Sequence, residues 1–161
     1  IDPLGLDTVF IWKPGNYTDS SGNSYPSSYG HASVMTDLGT YVSHHPIKKL
    51  PSPLKTVFNS YQADKEAYGR SADFIAYIDN PNKLASDQFA KDYLSSEDYW
   101  GFFGNCTDAT RSTLNAGGSG IPNLNIGFGN AVFYPSELER ALRGGYWLNK
   151  TIIRDVDPSN P

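Results

Sequence analysis

Residues 30–46, with the sequence GHASVMTDLGTYVSHHP, decide which fold this chain can adopt. HASVM and TYVSH are short and rich in strand-forming residues, and the TDLG between them has the Asp and Gly that favour a hairpin turn. All three histidines of the chain lie in this stretch. Neighbouring residues of a strand face opposite ways, so His44 and His45 cannot both face His31, whereas His45 shares a face with Ser43. The pattern predicts a β-hairpin that carries ionisable side chains.

A second informative stretch is GNCTDAT, residues 104–110, which holds Cys106, the only cysteine. Asn105 is a good N-cap candidate, and the two glycines at 117–118 are a typical stop, so we predict a helix that begins at the cysteine. A helix N-terminus lowers the pKa of a thiol. The unpaired backbone N–H groups near Asn105 and Thr107 are suited to hold an oxyanion. We therefore predict that Cys106 is a nucleophile.

A cysteine nucleophile needs a general base, and the base needs a polar partner that orients it. His31 is the candidate base, because it opens the first strand of the hairpin directly after a glycine. The second strand returns toward the same end and offers Ser43, His44 and His45 as the orienting residue. These three alternatives stay open.

Less specific interpretations compete with this one. A lone cysteine is often buried and inert, and His44 or His45 can be an ordinary surface residue. One cysteine and three histidines match the ligands of zinc, but neighbouring histidines on a strand diverge, so we expect no metal site. We interpret the carboxylate pairs Glu137/Glu139 and Glu97/Asp98 as solvated charges and not as a glycosidase pair.

The composition limits the class of protein. The 161 residues are 39% hydrophobic and 14% aromatic, which is enough for the core of one domain. The net charge is −4 and no basic run is present, which argues against a nucleic-acid partner. No apolar stretch approaches ~18 residues, so no membrane association is evident. We expect a monomer without a cofactor.

The remaining elements follow from the same signals. We predict an extended arm over residues 7–13, strands over residues 71–79 and 146–156, and helices over residues 80–96 and 134–145, with Asn82 or Ser86 as the cap of the first helix. Residues 14–30 read as a loop, and residues 47–56 as a proline-rich connector. The sum is an α+β fold in which a small antiparallel sheet packs against helices.

The N-terminal IDPLGL resembles the DPxGL signature that ends the core of Rhs-repeat proteins, in which a β-shell encloses a variable C-terminal toxin domain. The resemblance implies that residues 1–6 are the end of the core junction and that residues 7–161 are a single toxin domain. It also implies that the protein is secreted through a type VI or a Tc-type route and delivered into the periplasm or cytoplasm of a target cell. Its implied partners are the Rhs core shell and a cognate immunity protein.

The hairpin and the cysteine helix resemble the circularly permuted papain-like hydrolases, namely the permuted NlpC/P60 group and the lecithin:retinol acyltransferase-like group. GHASVMTDLGTYVSHHP is similar to their histidine hairpin, and GNCTDATRSTLNAGG is similar to their cysteine helix. The resemblance implies a permuted papain-like fold with Cys106 as nucleophile, His31 as base and Ser43 or His45 as the third residue, with His44 as an alternative.

The implied activity is a cysteine hydrolase that works through an acyl-enzyme. An amidase or peptidase acting on peptidoglycan stem peptides or protein amides is favoured by the aromatic and polar segment at residues 99–103. A phospholipase or acyltransferase is the first alternative, and a non-catalytic or pore-forming toxin is the second.

Overall fold

The computed structural model describes residues 5–19, 21–46, 55–95, 106–121, 134–144 and 151–155. These residues form eight strands and four helices: β1 (Asp7–Trp12), β2 (Gly15–Thr18), β3 (Ser24–Ser27), β4 (His31–Met35), β5 (Tyr41–Pro46), β6 (Lys55–Val57), α1 (Tyr61–Tyr68), β7 (Phe74–Ile78), α2 (Lys83–Ser95), α3 (Cys106–Ala116), α4 (Pro135–Gly144) and β8 (Thr151–Asp155). The α+β prediction is confirmed. No helix among these residues is long and apolar enough to cross a membrane.

Six strands form one sheet in the order β6-β5-β4-β1-β7-β8, and every neighbouring pair is antiparallel. β1 is a central strand, paired with β4 on one side and β7 on the other. All six of its residues are buried, as expected of a strand covered on both faces. β2 and β3 form a separate two-stranded hairpin.

The two faces of the sheet have different covers. On one face α2, α3 and α4 pack over aliphatic side chains such as Val9, Val34 and Val42, and Leu114 of α3 is fully buried against them. On the other face α1 and the β2–β3 hairpin enclose an aromatic cluster that includes Phe10 and Trp12. Alternation along β1 sends Val9 one way and Phe10 the other, so one strand supplies both cores.

Most predicted elements are confirmed within the residues that the structure describes. β4 and β5 form the expected hairpin, and Pro46 is the last residue of β5. Asn82 caps α2 by accepting the Ala85 N–H at 3.1 Å, whereas the Ser86 hydroxyl donates to the Lys83 carbonyl instead. The predicted loop at residues 14–30 was wrong in part, because it contains β2 and β3. Their tyrosines pack on the aromatic cluster, and this tertiary contact outweighs the polar local sequence.

One helix was not predicted. α1 begins after Ser60, whose side chain accepts the Ala63 N–H, and ends at Gly69 in the left-handed conformation. Both are ordinary start and stop signals. Its buried face is Asp64, Ala67 and Tyr68. α1 therefore turns a carboxylate toward the sheet.

Candidate active site

The β4–β5 hairpin places three polar side chains on the sheet face that α1 covers. Ser33 pairs with Ser43, and His31 lies beside Trp12 of β1. Alternation then puts His31, Ser43 and His45 on one face and His44 on the other. The rings of His31 and His45 stack with 3.8 Å between their centroids. The hairpin thus brings side chains from the start of β4 together with side chains from the second half of β5.

A glycine fixes where β4 begins. Gly30 has φ of 82°, and a Cβ atom there would lie 2.2 Å from the Trp12 carbonyl oxygen. The Gly30 carbonyl accepts from the Ser27 hydroxyl at 2.9 Å, and Ser27 in turn accepts from the Tyr68 hydroxyl at 3.1 Å. These contacts set the backbone immediately before His31.

α1 adds a carboxylate that was not among the predicted site residues. Asp64 Oδ1 accepts the Ser43 hydroxyl at 2.8 Å and lies 3.1 Å from His45 Nε2. Asp64 Oδ2 accepts the Tyr41 hydroxyl at 2.5 Å and lies 3.6 Å from His31 Nε2. The carboxylate is fully buried, and these partners supply the hydrogen bonds that a buried charge requires.

The direction of the hydrogen bonds fixes the role of Ser43. Its one hydroxyl proton is donated to Asp64, so its oxygen accepts at the 2.9 Å contact with His31 Nε2. His31 therefore carries a proton on Nε2. This leaves Nδ1 as the ring nitrogen for the thiol. Ser43 and Asp64 act in series to orient the imidazole.

Cys106 is the first residue of α3, and α3 packs on β4 and β5. Cys106 is half-buried, and its thiol lies close enough to the His31 ring and to the backbone N–H of Ala32 for both to lower its pKa. The hydroxyl of Thr107 lies 3.9 Å from the sulfur. The helix start and the hairpin thus bring the predicted nucleophile and the predicted base together.

The cluster separates the pKa values of its two histidines. Burial lowers the pKa of His31, but Asp64 and the Cys106 thiolate outweigh burial and raise that pKa to about 9. Burial and the positive charge of His31 lower the pKa of His45 to about 4, although Asp64 opposes them. Near neutral pH, His31 is therefore the protonated ring and His45 the neutral one.

The Cys106 thiol and the Asp64 carboxyl are both stabilised as anions. Burial would raise the pKa of the Cys106 thiol, but the His31 charge and the hydrogen bonds from His31 and Ala32 hold it below its usual value. Burial would likewise raise the pKa of Asp64, but the two histidines hold it far below its usual range. Burial and the Asp64 charge raise the pKa of the Tyr41 phenol, which therefore stays protonated and donates.

Aromatic rings enclose the imidazole of His31. Tyr68 stacks on it at 5.6 Å between centroids, and Trp12 lies at the same distance in a tilted geometry. The face of an aromatic ring attracts a cation. Trp12 and Tyr68 therefore both hold the ring in place and favour its protonated form.

The structure brings some of the predicted site residues together and not others. Cys106, His31, Ser43 and His45 come together, and Thr107 is adjacent to the sulfur. Asn105, the pair Glu97/Asp98 and the segment at residues 99–103 lie outside the described residues. Glu137 accepts the Tyr134 N–H and Glu139 pairs with Arg143 on the same helix, as expected of ordinary helix charges.

His44 is not an orienting residue. Its side chain lies on the α2–α3 face, where Nδ1 is 2.9 Å from the Tyr93 hydroxyl. The alternative that His44 or His45 is a surface residue was wrong, because both are buried. The sheet is covered on both faces at β5, so side chains that point to either face are buried. For the same reason, one cysteine and three histidines cannot bind a single zinc ion.

Asp64 was not predicted as a site residue because α1, the helix that carries it, was not predicted. The available signal was SYQADKEAYG, residues 60–69, with a serine cap, a final glycine and a polar helix between them. The spacing of Asp64, Ala67 and Tyr68 marks one helical face. Even so, only the packing of that face against β5 distinguishes Asp64 from other acidic residues of the helix, such as Glu66.

A scan against protein-family models and searches of curated proteins and of solved structures found no match to this chain. What the protein does must therefore be inferred from its own residues.

Proposed function

We propose that this protein is a cysteine hydrolase in which Cys106 attacks a carbonyl carbon and His31 transfers the proton. The observation that carries the proposal is that Cys106, the first residue of α3, lies close enough to His31 for the imidazolium to lower the pKa of the thiol. An inert buried thiol would have apolar neighbours. This sulfur instead faces an imidazole that a serine and a carboxylate orient from behind.

The reaction follows from the charges of the pair. The Cys106 thiolate adds to the substrate carbonyl and forms a C–S bond, and the oxygen takes the negative charge. His31 gives its proton to the leaving amine as the bond from carbon to nitrogen breaks. His31 then takes a proton from water, whose oxygen attacks the thioester and releases the acid and the thiolate.

The start of α3 is suited to hold the oxyanion. The first N–H groups of a helix have no partner inside the helix, and the helix dipole favours negative charge there. Thr107, the second residue of α3, is buried next to the sulfur. Backbone N–H groups of Cys106 and Thr107 are the donors that we assign to this role.

Ser43 and Asp64 are positioning residues in this scheme. The hydrogen bond from His31 Nε2–H to Ser43 fixes the tautomer that directs Nδ1 to the thiol. Asp64 holds Ser43 in that orientation and stabilises the imidazolium. The third residue of the site in this scheme is therefore Ser43, supported by Asp64, whereas His45 stacks on the face of the His31 ring.

The proposed fold family is the permuted papain-like hydrolases. It is supported by the order along the chain, in which the histidine strand β4 precedes the cysteine helix α3. It is also supported by the antiparallel sheet against which that helix packs. The position of Asp64 on α1, between the two, is particular to this chain.

The proposed role is that of a secreted antibacterial toxin with an amide substrate. Its support is the DPLGL motif, which ends just before β1 begins at Asp7. The proposed partners are the Rhs core shell and a cognate immunity protein. The proposed site of action is the periplasm or cytoplasm of a target cell, with peptidoglycan stem peptides or protein amides as substrates.

The test is a comparison of purified wild-type protein with Cys106→Ala and His31→Gln. Each is incubated with peptidoglycan, a peptide library and phospholipid vesicles, and the products are identified by mass spectrometry. We expect amide cleavage by the wild type and a loss of about a thousandfold or more in both variants. His44→Gln is the matched control, because it changes a buried histidine on the opposite face.

Two outcomes would contradict the proposal. One is full activity in Cys106→Ala, and the other is an equal loss in His44→Gln and His31→Gln. Acyl release from phospholipid alone, dependent on Cys106, would retain the nucleophile and change the substrate class to lipid esters. Circular dichroism of each variant separates loss of catalysis from loss of fold.

A further inference from the structure

The centre of the polar cluster contains three side chains of the kind that bind transition metals. One atom each from His31, His45 and Asp64 lies within 4.8 Å of the others. Imidazole nitrogen and carboxylate oxygen are typical zinc ligands. All three side chains are buried, so their positions are set by packing and not by solvent.

The spacing of these atoms matches the ligand shell of one small cation. Four ligands bonded at about 2.0–2.1 Å in a tetrahedron lie about 3.3 Å from one another. His31 Nε2 lies 3.6 Å from Asp64 Oδ2, and His45 Nε2 lies 3.1 Å from Asp64 Oδ1. Both distances are close to the separation of two ligands on one ion.

Ser43 lies next to the three side chains. Its hydroxyl oxygen lies 2.9 Å from His31 Nε2, 3.4 Å from His45 Nε2 and 2.8 Å from Asp64 Oδ1. An oxygen this close to all three side chains is available as a fourth ligand. The neutral hydroxyl is a weak ligand, and a water molecule could take its place.

We propose that His31, His45 and Asp64 form a binding site for one divalent transition-metal ion of the zinc class, with Ser43 Oγ or a water as fourth ligand. Coordination displaces the proton on His31 Nε2 to solvent, moves the His45 ring proton to Nδ1, and replaces the hydrogen bonds that these atoms now make with one another. This ligand set includes neither Cys106 nor His44, so it differs from the cysteine-based zinc site considered from the sequence. Because the ligands are buried, binding is slow.

The proposal does not rest on the proposed function, because it requires no thiol. If Cys106 is the nucleophile, however, the metal inhibits it. A metal ion on His31 Nε2 removes the hydrogen bond to Ser43 and holds the ring that must move the proton. The site would then keep the enzyme inactive until the metal is lost.

Cobalt is a suitable probe, because Co²⁺ takes the geometry of zinc sites and has visible absorption bands. We expect one equivalent of Co²⁺ to give the intense bands of a tetrahedral ion, with no near-ultraviolet thiolate-to-cobalt band, and Zn²⁺ to abolish them. Cys106→Ala should keep the same spectrum. His45→Phe should weaken binding by about a hundredfold or more, whereas His44→Phe should retain it.

Several results would overturn the proposal. They are the absence of stoichiometric binding by calorimetry, a thiolate-to-cobalt band that disappears in Cys106→Ala, and equal effects of His45→Phe and His44→Phe. The wild type and Cys106→Ala decide the matter even if a histidine variant fails to fold. A protein that binds Co²⁺ but hydrolyses nothing would support the metal site and contradict the proposed function.

Discussion

Replacement of Asp64 by asparagine should destabilise the protein far more than the same change at a surface aspartate. The Asp64 carboxylate is fully buried and accepts from Tyr41, Ser43 and His45, with His31 beside it. Asparagine keeps the shape but loses the charge. It also turns an N–H₂ group toward a side chain that donates.

The magnitude follows from those contacts. A hydrogen bond to a charged group contributes about 1.5–3 kcal/mol and a neutral one about 1 kcal/mol. Loss of the charge at three hydrogen bonds therefore costs about 3 kcal/mol. That value lies at the lower end of the ~3–5 kcal/mol found when one partner of a buried ion pair is removed.

Asp73→Asn is the matched control. Asp73 pairs with Arg70, and these side chains are 28% and 38% exposed, so solvent screens the pair. Such a surface pair contributes at most about 1 kcal/mol. Urea unfolding, followed by tryptophan fluorescence with Trp12 buried beside His31, measures both variants. For a chain of this length, Asp64→Asn should lower Tm by about 6–12 °C.

Equal midpoints for Asp64→Asn and Asp73→Asn at equal m-values would refute this reasoning. Such a result would mean that the carboxylate is not the centre of the network. The single cysteine gives a second readout. Disruption of the network should also change the rate at which iodoacetamide alkylates Cys106, because Asp64 acts on the sulfur through His31.

Three further substitutions, two of them paired with a control variant, test the fold around the site. Gly30→Ala should lower the free energy of unfolding in urea by several kcal/mol, because its Cβ would lie 2.2 Å from a backbone oxygen. Gly22→Ala has almost the same φ, 83°, but lies in open space, so it should lower the free energy of unfolding by only about 1 kcal/mol. Asn82→Ala should remove about 1 kcal/mol by loss of the cap of α2, visible as a lower urea midpoint and lower hydrogen-exchange protection in its first turn. Leu114→Ala should lower the free energy of unfolding by about 2–5 kcal/mol, because it leaves a cavity in the core. Leu38→Ala changes a side chain that is 54% exposed and should alter the free energy of unfolding by no more than about 0.5 kcal/mol. Equal urea midpoints for the two leucine variants would contradict the assignment of the core.

The candidate site depends both on contacts between neighbours in the sequence and on contacts between distant residues. The β4–β5 hairpin forms through contacts between close neighbours, and α3 begins at a residue marked by local helix signals. The N-terminus of α3 must nevertheless reach His31, 75 positions earlier in the numbering. The proposed nucleophile and its proposed base are therefore brought together only when the sheet and its helices pack.

The sequence by itself determined what depends on neighbouring residues. Period-two alternation was enough to place Ser43 and His45 on one face and His44 on the other, and the TDLG turn was enough to pair β5 with β4. A glycine stop was enough to end the helix that starts at Cys106. These features need only backbone geometry and the preferences of single residues.

Only the tertiary structure decided what depends on distant contacts. β1 read as an extended arm, and pairing with β4 and β7 makes it a central strand. Packing of α1 on the sheet selects Asp64 as the carboxylate that supports Ser43, 21 residues away. Covers on both faces of β5 bury His44 and His45 alike. The physical reason is that burial, and with it the charge state of a side chain, is a property of the surroundings that long-range packing supplies.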